Sequence, residues 1–96
     1  MARFDVYRTA GTYLLDCQAD VLAYLDTRFV VPLLPAEHVP RASLLNPIFG
    51  IDGEDHVMAT QLALAVPTRQ LREPVASLAD DHDAIINAFD MLLTGY

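Results

Sequence analysis

Apolar and polar positions alternate over residues 3–7, RFDVY, with Phe4 and Val6 on one side and Arg3, Asp5 and Tyr7 on the other. That period predicts a half-buried strand. Residues 8–11, RTAG, read as a turn in which Gly11 is free to take positive φ. Residues 12–18 then return as a second strand, with Tyr13, Leu15 and Cys17 sharing one side, giving an antiparallel hairpin with a loop longer than the two-residue minimum. Residues 19–26, ADVLAYLD, fit a short helix with a weak apolar face of Val21, Leu22 and Leu25. They fit an extended connector equally well, and local rules do not choose between the two.

Residues 27–35, TRFVVPLLP, are rich in β-branched and aromatic side chains and predict a strand. Pro32 has no N–H to give a ladder, which points to an edge position or a bulge. So apolar an edge needs cover from a dimer partner or the C-terminal helix. Residues 36–47 form a surface excursion, because Pro40 stops any helix begun at Ala36. In residues 48–60 the Asp52-Gly53 pair between apolar flanks predicts a hairpin. Leu62, Leu64 and Val66 alternate until Pro67, and residues 69–75 read as a further short extended piece in which Pro74 argues for an edge.

Beyond residue 77 the period changes. Leu78, Ile85, Ala88, Phe89, Leu92 and Tyr96 recur at helical spacings and line one face. Asp80, Asp81 and Asp83 fall at the first turn, where the peptide dipoles favour negative charge and Asp caps free N–H groups. Gly95 is the natural C-terminal cap. The pattern as a whole is α+β: a small antiparallel β domain, curled or partly closed into a barrel by its proline-ended strands, with one C-terminal α-helix.

Composition narrows the function. At 96 residues the chain has the size of a single domain, spanning residues 1–96. It is 53% apolar but lacks an uncharged run long enough to cross a bilayer as a helix. Asp5 interrupts the place where a signal peptide would begin its apolar stretch, so a cytoplasmic location is expected. With 6 Lys+Arg against 13 Asp+Glu the net charge is −7, and no base lies beyond Arg72. Direct nucleic-acid binding, which needs clustered bases to release counterions, is disfavoured. A lone Cys17 reads as a small buried hydrophobe.

The candidate chemistry is sparse. His38, His56 and His82 are scattered and match no metal-ligand spacing, so no metal or cofactor is expected. Asp52, Glu54 and Asp55 belong to a turn, while Asp16 and Asp20 bracket Cys17. One enzymatic arrangement is worth testing: Arg28 and Thr60 meeting across a barrel to hold a phosphate, with His56 as general acid or base, as in a metal-independent ribonuclease.

The order of YLLDCQADVL (residues 13–22), LDTRFVVPL (25–33), GEDHVMAT (53–60), AVPTRQL (65–71), VASL (75–78) and DAIINAFDMLLTGY (83–96) resembles the CcdB family of type II toxin–antitoxin toxins over nearly the whole chain. The resemblance implies a homodimer with an SH3-like β core and a long C-terminal helix, a fold shared broadly with MazF-like ribonucleases. It implies a toxin that is not an enzyme, has no catalytic residues, poisons DNA gyrase through its A subunit, and is neutralised by a CcdA-like antitoxin.

Target contact would then fall on Thr94, Gly95 and Tyr96, at the positions of the family's Trp-Gly-Ile tail. Gly95 agrees with that tail, Thr94 replaces its tryptophan, and the ring of Tyr96 follows the glycine instead of preceding it. Arg8, Thr9, Ala10, Gly11, Thr12 and Tyr13 match the segment that helps receive the antitoxin, and Leu92 and Leu93 fall near the dimer axis. Two alternatives accompany this reading, a MazF-like endoribonuclease and a non-toxic relative that only binds antitoxin.

Overall fold

The computed structural model describes residues 2–38 and 44–95, so the predicted helix stop at Pro40 and the target contact at Tyr96 lie outside the described residues. Strands β1 (Asp5–Thr9) and β2 (Thr12–Asp16) pair antiparallel with Val6 opposite Leu15 and Thr9 opposite Thr12. The loop is therefore Ala10 and Gly11 alone, shorter than the sequence pattern suggested. The reason is that Ala10 as well as Gly11 takes positive φ, 51° and 80°. Two successive left-handed residues make the mirror-image turn whose twist matches a hairpin, at a cost of about 1 kcal/mol for the alanine.

The second hairpin follows its Asp-Gly signal. Strands β4 (Ile48–Ile51) and β5 (Glu54–Met58) place Ile51 opposite Glu54, with Asp52 at φ 54° and Gly53 at φ 79°.

Strand β3 (Thr27–Pro35) is central and not an edge, which corrects the reading of Pro32. One flank of β3 pairs with β2, Leu14 facing Pro32. Its other flank pairs first with β6 (Leu64–Pro67) through Thr27 to Val30, then with β5 through Leu33 to Pro35. The Cys17 N–H donates to the Phe29 carbonyl at 2.9 Å. Because bonding pairs alternate along an antiparallel ladder, the odd residues of β3 bond to β2 and Pro32 turns its missing N–H to the opposite flank. There it sits where β6 gives way to β5, and its carbonyl still accepts the Ala59 N–H at 2.9 Å. Proline is tolerated at the handover because no full partner strand faces it.

The last extended segments are shorter than the alternation implied. Leu62 belongs to a 3-10 turn, Thr60–Leu62, and is exposed. Residues 69–75 are not extended throughout: a 3-10 turn at Thr68–Gln70 precedes a two-residue strand β7 (Ala76–Ser77) on the free side of β1. In 19–26 the undecided segment is a 3-10 turn, Asp20–Leu22, and Ala36–His38 forms another.

The sheet order β4-β5-β3-β2-β1-β7, with β6 also on β3, is curled. Its two ends share one core: Phe4 and Val6 from the β1 side meet Phe49 and Ile51 of β4, with Leu15, Val31, Leu33 and Met58 between them. Such a barrel-like α+β fold is what the sequence pattern predicts. Helix α1 (His82–Thr94) closes this core with Ile85 and Ala88, and Phe89 lies 5.6 Å from Phe29. Its apolar face is buried only over the first turns, since Leu92 and Leu93 are exposed.

The helix start also differs from expectation. Asp80 and Asp81 occupy a preceding 3-10 turn, Ala79–Asp81, and the Asp81 side chain makes no capping hydrogen bond. Gly95 caps the C-terminus as predicted, at φ 81° with its N–H donating to the Met91 carbonyl.

The opposite face of the sheet is buried too, by Tyr7, Leu14, Val30, Val66 and Leu71. The alternation of β1 therefore separates two cores and not a core from solvent.

Cys17 is buried as predicted, and burial pushes its thiol up to about 12, with the nearby Asp16 carboxylate acting in the same direction. The sign follows directly. In the unfolded chain the thiol ionises near its ordinary value of about 8.5, so stability is complete below that pH. It is then lost as pH rises toward the folded value, by at most about 1.4 kcal/mol per pH unit. Urea titrations between pH 8 and 11 should show this loss for the parent chain, and a markedly shallower one for Cys17→Ala.

Candidate functional site

The tip of the β1–β2 hairpin carries a layered contact. The exposed Arg8 lays its guanidinium over the Tyr13 ring, 5.4 Å from the centroid. Tyr13 meets the ring of His56 edge-on at 5.1 Å and 85°. The Nδ1 of His56 lies 3.0 Å from the Glu54 carbonyl. Tyr13 and His56 reach each other because both of their strands pair with the end of β3: Tyr13 faces Leu33, and His56 faces Pro35.

Two concavities adjoin this stack. One, of about 280 Å³, is bounded by Arg8, Gly11, Thr12 and Tyr13, the end of β3, and the Asp52 turn. The other, of about 560 Å³, is bounded by Arg8, Thr9 and Ala10 on one side and Gln70, Arg72 and Glu73 on the other. The Thr9 hydroxyl donates to the Gln70 carbonyl at 3.3 Å, which ties the hairpin tip to the Thr68–Gln70 turn. Every residue of the predicted antitoxin segment, Arg8 to Tyr13, thus borders one of two hollows that have Arg8 in common.

The predicted tail forms a separate surface. Leu92, Leu93, Thr94 and Gly95 are all exposed at the end of α1, Leu93 to 76%. The Thr94 hydroxyl is engaged by its own helix, donating to the Asp90 carbonyl at 2.7 Å. None of these four residues borders the hollows at the hairpin tip.

The ribonuclease arrangement does not assemble. Arg28 is 1% exposed, and its Nη2 and Nε donate to one oxygen of the fully buried Asp16 at 2.5 and 3.0 Å. The guanidinium is thereby withdrawn from any substrate phosphate. Thr60 is also buried and donates to the Leu45 carbonyl at 2.6 Å, so only His56 of the three borders a hollow. Among the described residues no group of His, Cys, Asp and Glu is placed to hold a metal ion, and no helix is long and apolar enough to cross a membrane.

Sequence reasoning missed Arg72 and Glu54 as neighbours of the hairpin tip. Arg72 carries a faint signal, as the last base in a chain whose remainder is acidic, but nothing local says which strand end it faces. The sequence points to His56 for acid–base chemistry and carries no sign of its stacking on Tyr13.

A family model described as CcdB protein matches residues 3–95, nearly the whole chain. No curated protein matches it.

Proposed function

We propose, on the premise that this chain belongs to the CcdB family, that it is the toxin of a type II toxin–antitoxin pair. It acts in the cytoplasm as a homodimer, binding the A subunit of DNA gyrase without catalysing a reaction of its own. A CcdA-like antitoxin neutralises it. The observation that carries the reading is the family match over residues 3–95. The geometry agrees with it in one respect: the two segments assigned to partners are solvent-facing, the hairpin tip at Arg8 to Tyr13 and the helix end at Thr94 and Gly95.

The exposed Leu92 and Leu93 on α1, together with Phe29 and Leu64 of the adjoining strands, supply apolar area of the kind a dimer seam uses. The withdrawal of Arg28 into its pair with Asp16 removes the phosphate-binding group that the ribonuclease alternative requires.

The test is a supercoiling assay with purified gyrase, scored both for loss of supercoiling and for cleaved DNA trapped in the complex. Micromolar protein should give both. Intact supercoiling and no trapped cleavage would reject gyrase as the target; if antitoxin still bound, the non-toxic relative would be the better description.

A further inference from the structure

Arg8 of the first hairpin and Asp52 and Glu54 of the second border one space, the hollow of about 280 Å³. These opposite charges do not neutralise each other. Arg8 makes no ion pair among the described residues, and the carboxylates of Asp52 and Glu54 make neither an ion pair nor a hydrogen bond there. His56, 5% exposed, adds a further polar group to the same lining. Its Nδ1 lies 3.0 Å from the Glu54 carbonyl oxygen. A carbonyl has no proton to give, so Nδ1 carries the hydrogen and, in the neutral ring, Nε2 is left as an acceptor. That Nε2 makes no hydrogen bond among the described residues. It is not sealed in, since among them the Tyr7 hydroxyl alone is both closed off from solvent and unpartnered. The hollow is the space that the His56 ring borders, and an acceptor with no protein partner therefore opens into it.

We infer that this hollow binds a small zwitterion with an apolar side chain, an α-amino acid of the size of leucine. Its carboxylate meets Arg8, its ammonium meets Nε2 of His56 with Asp52 and Glu54, and its side chain lies against Leu33, Leu34 and Ile51. The groups match in kind and number. An arginine fork takes a carboxylate through two parallel hydrogen bonds, and an ammonium has three N–H donors to place on one ring nitrogen and two carboxylates. The volume lies just under the range of roughly 300–1,000 Å³ typical of drug-sized ligands, which suits something smaller. A neighbouring hollow of about 270 Å³ shares Arg8, Tyr13, Ile51 and Asp52 and adds Val75, so a longer apolar side chain has somewhere to extend. The same charges select against other small ions: Asp52 and Glu54 repel a second carboxylate, and Arg8 repels a second ammonium. Such a ligand is a different occupant from either protein partner proposed above, and its binding requires neither of them.

The experiment titrates L-leucine into the full chain and follows its backbone amide and histidine ring resonances by NMR. Saturable shifts should appear at the residues lining the hollow, with a Kd on the order of 0.1–1 mM, a fair affinity for so few ligand atoms. Leucinamide, which lacks the carboxylate, and isocaproate, which lacks the ammonium, should each bind about tenfold more weakly, the scale of losing one charge-assisted contact. Glycine, with both charges and no side chain, should also fall short. These ligand comparisons use the unaltered chain, so they hold if a variant folds poorly. In folded variants, Arg8→Gln should abolish the preference for leucine over leucinamide, and Asp52→Asn/Glu54→Gln the preference over isocaproate. Equal binding of leucine and its two analogues, shifts centred away from the hollow, or no saturable shift at tens of millimolar leucine would overturn the proposal. Gyrase and antitoxin are absent from this titration, so its outcome is separate from that of the proposed function.

Discussion

Replacing Asp16 by alanine is expected to destabilise the protein by about 3–5 kcal/mol, the usual cost of leaving one member of a buried ion pair alone. Arg28 would then keep a full charge in a site 1% exposed to water, having lost both of its carboxylate contacts. Asp16 Oδ1 also accepts the Gln18 N–H at 3.1 Å, and the Gln18 side chain in turn accepts the Phe29 N–H at 3.0 Å. The loss therefore reaches the start of β3. For a chain of this size the melting midpoint should fall on the order of 20 °C.

The double variant Asp16→Leu/Arg28→Met should recover most of that loss, because two apolar side chains remove the desolvation cost along with the attraction. Tyr7 lies on the same face with its hydroxyl buried and unpartnered, and burial raises its pKa, with Asp5 and Asp16 adding to the shift. Thermal melts of the single and double variants measure the coupling directly. A single-variant loss below about 1 kcal/mol would show the pair to be screened by water, in the manner of a surface pair.

The second large effect concerns the tail. Removing residues 94–96 is expected to lower the potency of gyrase inhibition by about a hundredfold, the scale of losing an anchor at the centre of an interface. The fold should be nearly indifferent to this truncation. Leu93, Thr94 and Gly95 are exposed, and among the described residues the truncation gives up the Thr94 hydroxyl bond to Asp90 and the Gly95 N–H bond to Met91 at the end of α1. The tail differs from the family's Trp-Gly-Ile, so the result also reports whether a ring placed after the glycine can serve. An unchanged dose response with a truncated tail would move the target contact elsewhere on the surface.

The elements legible in the sequence are those whose signal is local. The Asp52-Gly53 turn fixes its own hairpin, and the three-four spacing of Ile85, Ala88 and Phe89 fixes a helix whose end Gly95 marks. The missing donor of Pro32 points to an edge position or a bulge, and the edge is not what the fold supplies. What the proline requires is one flank without a full partner, and β3 supplies that at the handover from β6 to β5. The length of the first hairpin loop was not legible because Ala10, a residue with a β-carbon, carries no signal for the positive φ it takes.

The site was partly legible for the same reason. The Arg8 to Tyr13 segment is contiguous, so a resemblance could mark it as a unit. The Asp16–Arg28 pair has no local signature at all: its members are on different strands, and only the β2–β3 register, with Asp16 opposite Val30, brings them together. Arg72 joins the hairpin tip through a long-range contact of the same kind, made by the turn that Thr9 holds.

The central claim is that this chain works by presenting exposed protein surface to gyrase. Calorimetric titration of the protein into the isolated dimerisation region of the gyrase A subunit tests it most directly. The account predicts a saturable complex of micromolar affinity or tighter, lost when residues 94–96 are removed. Absence of heat and of any complex at concentrations well above that range would contradict it.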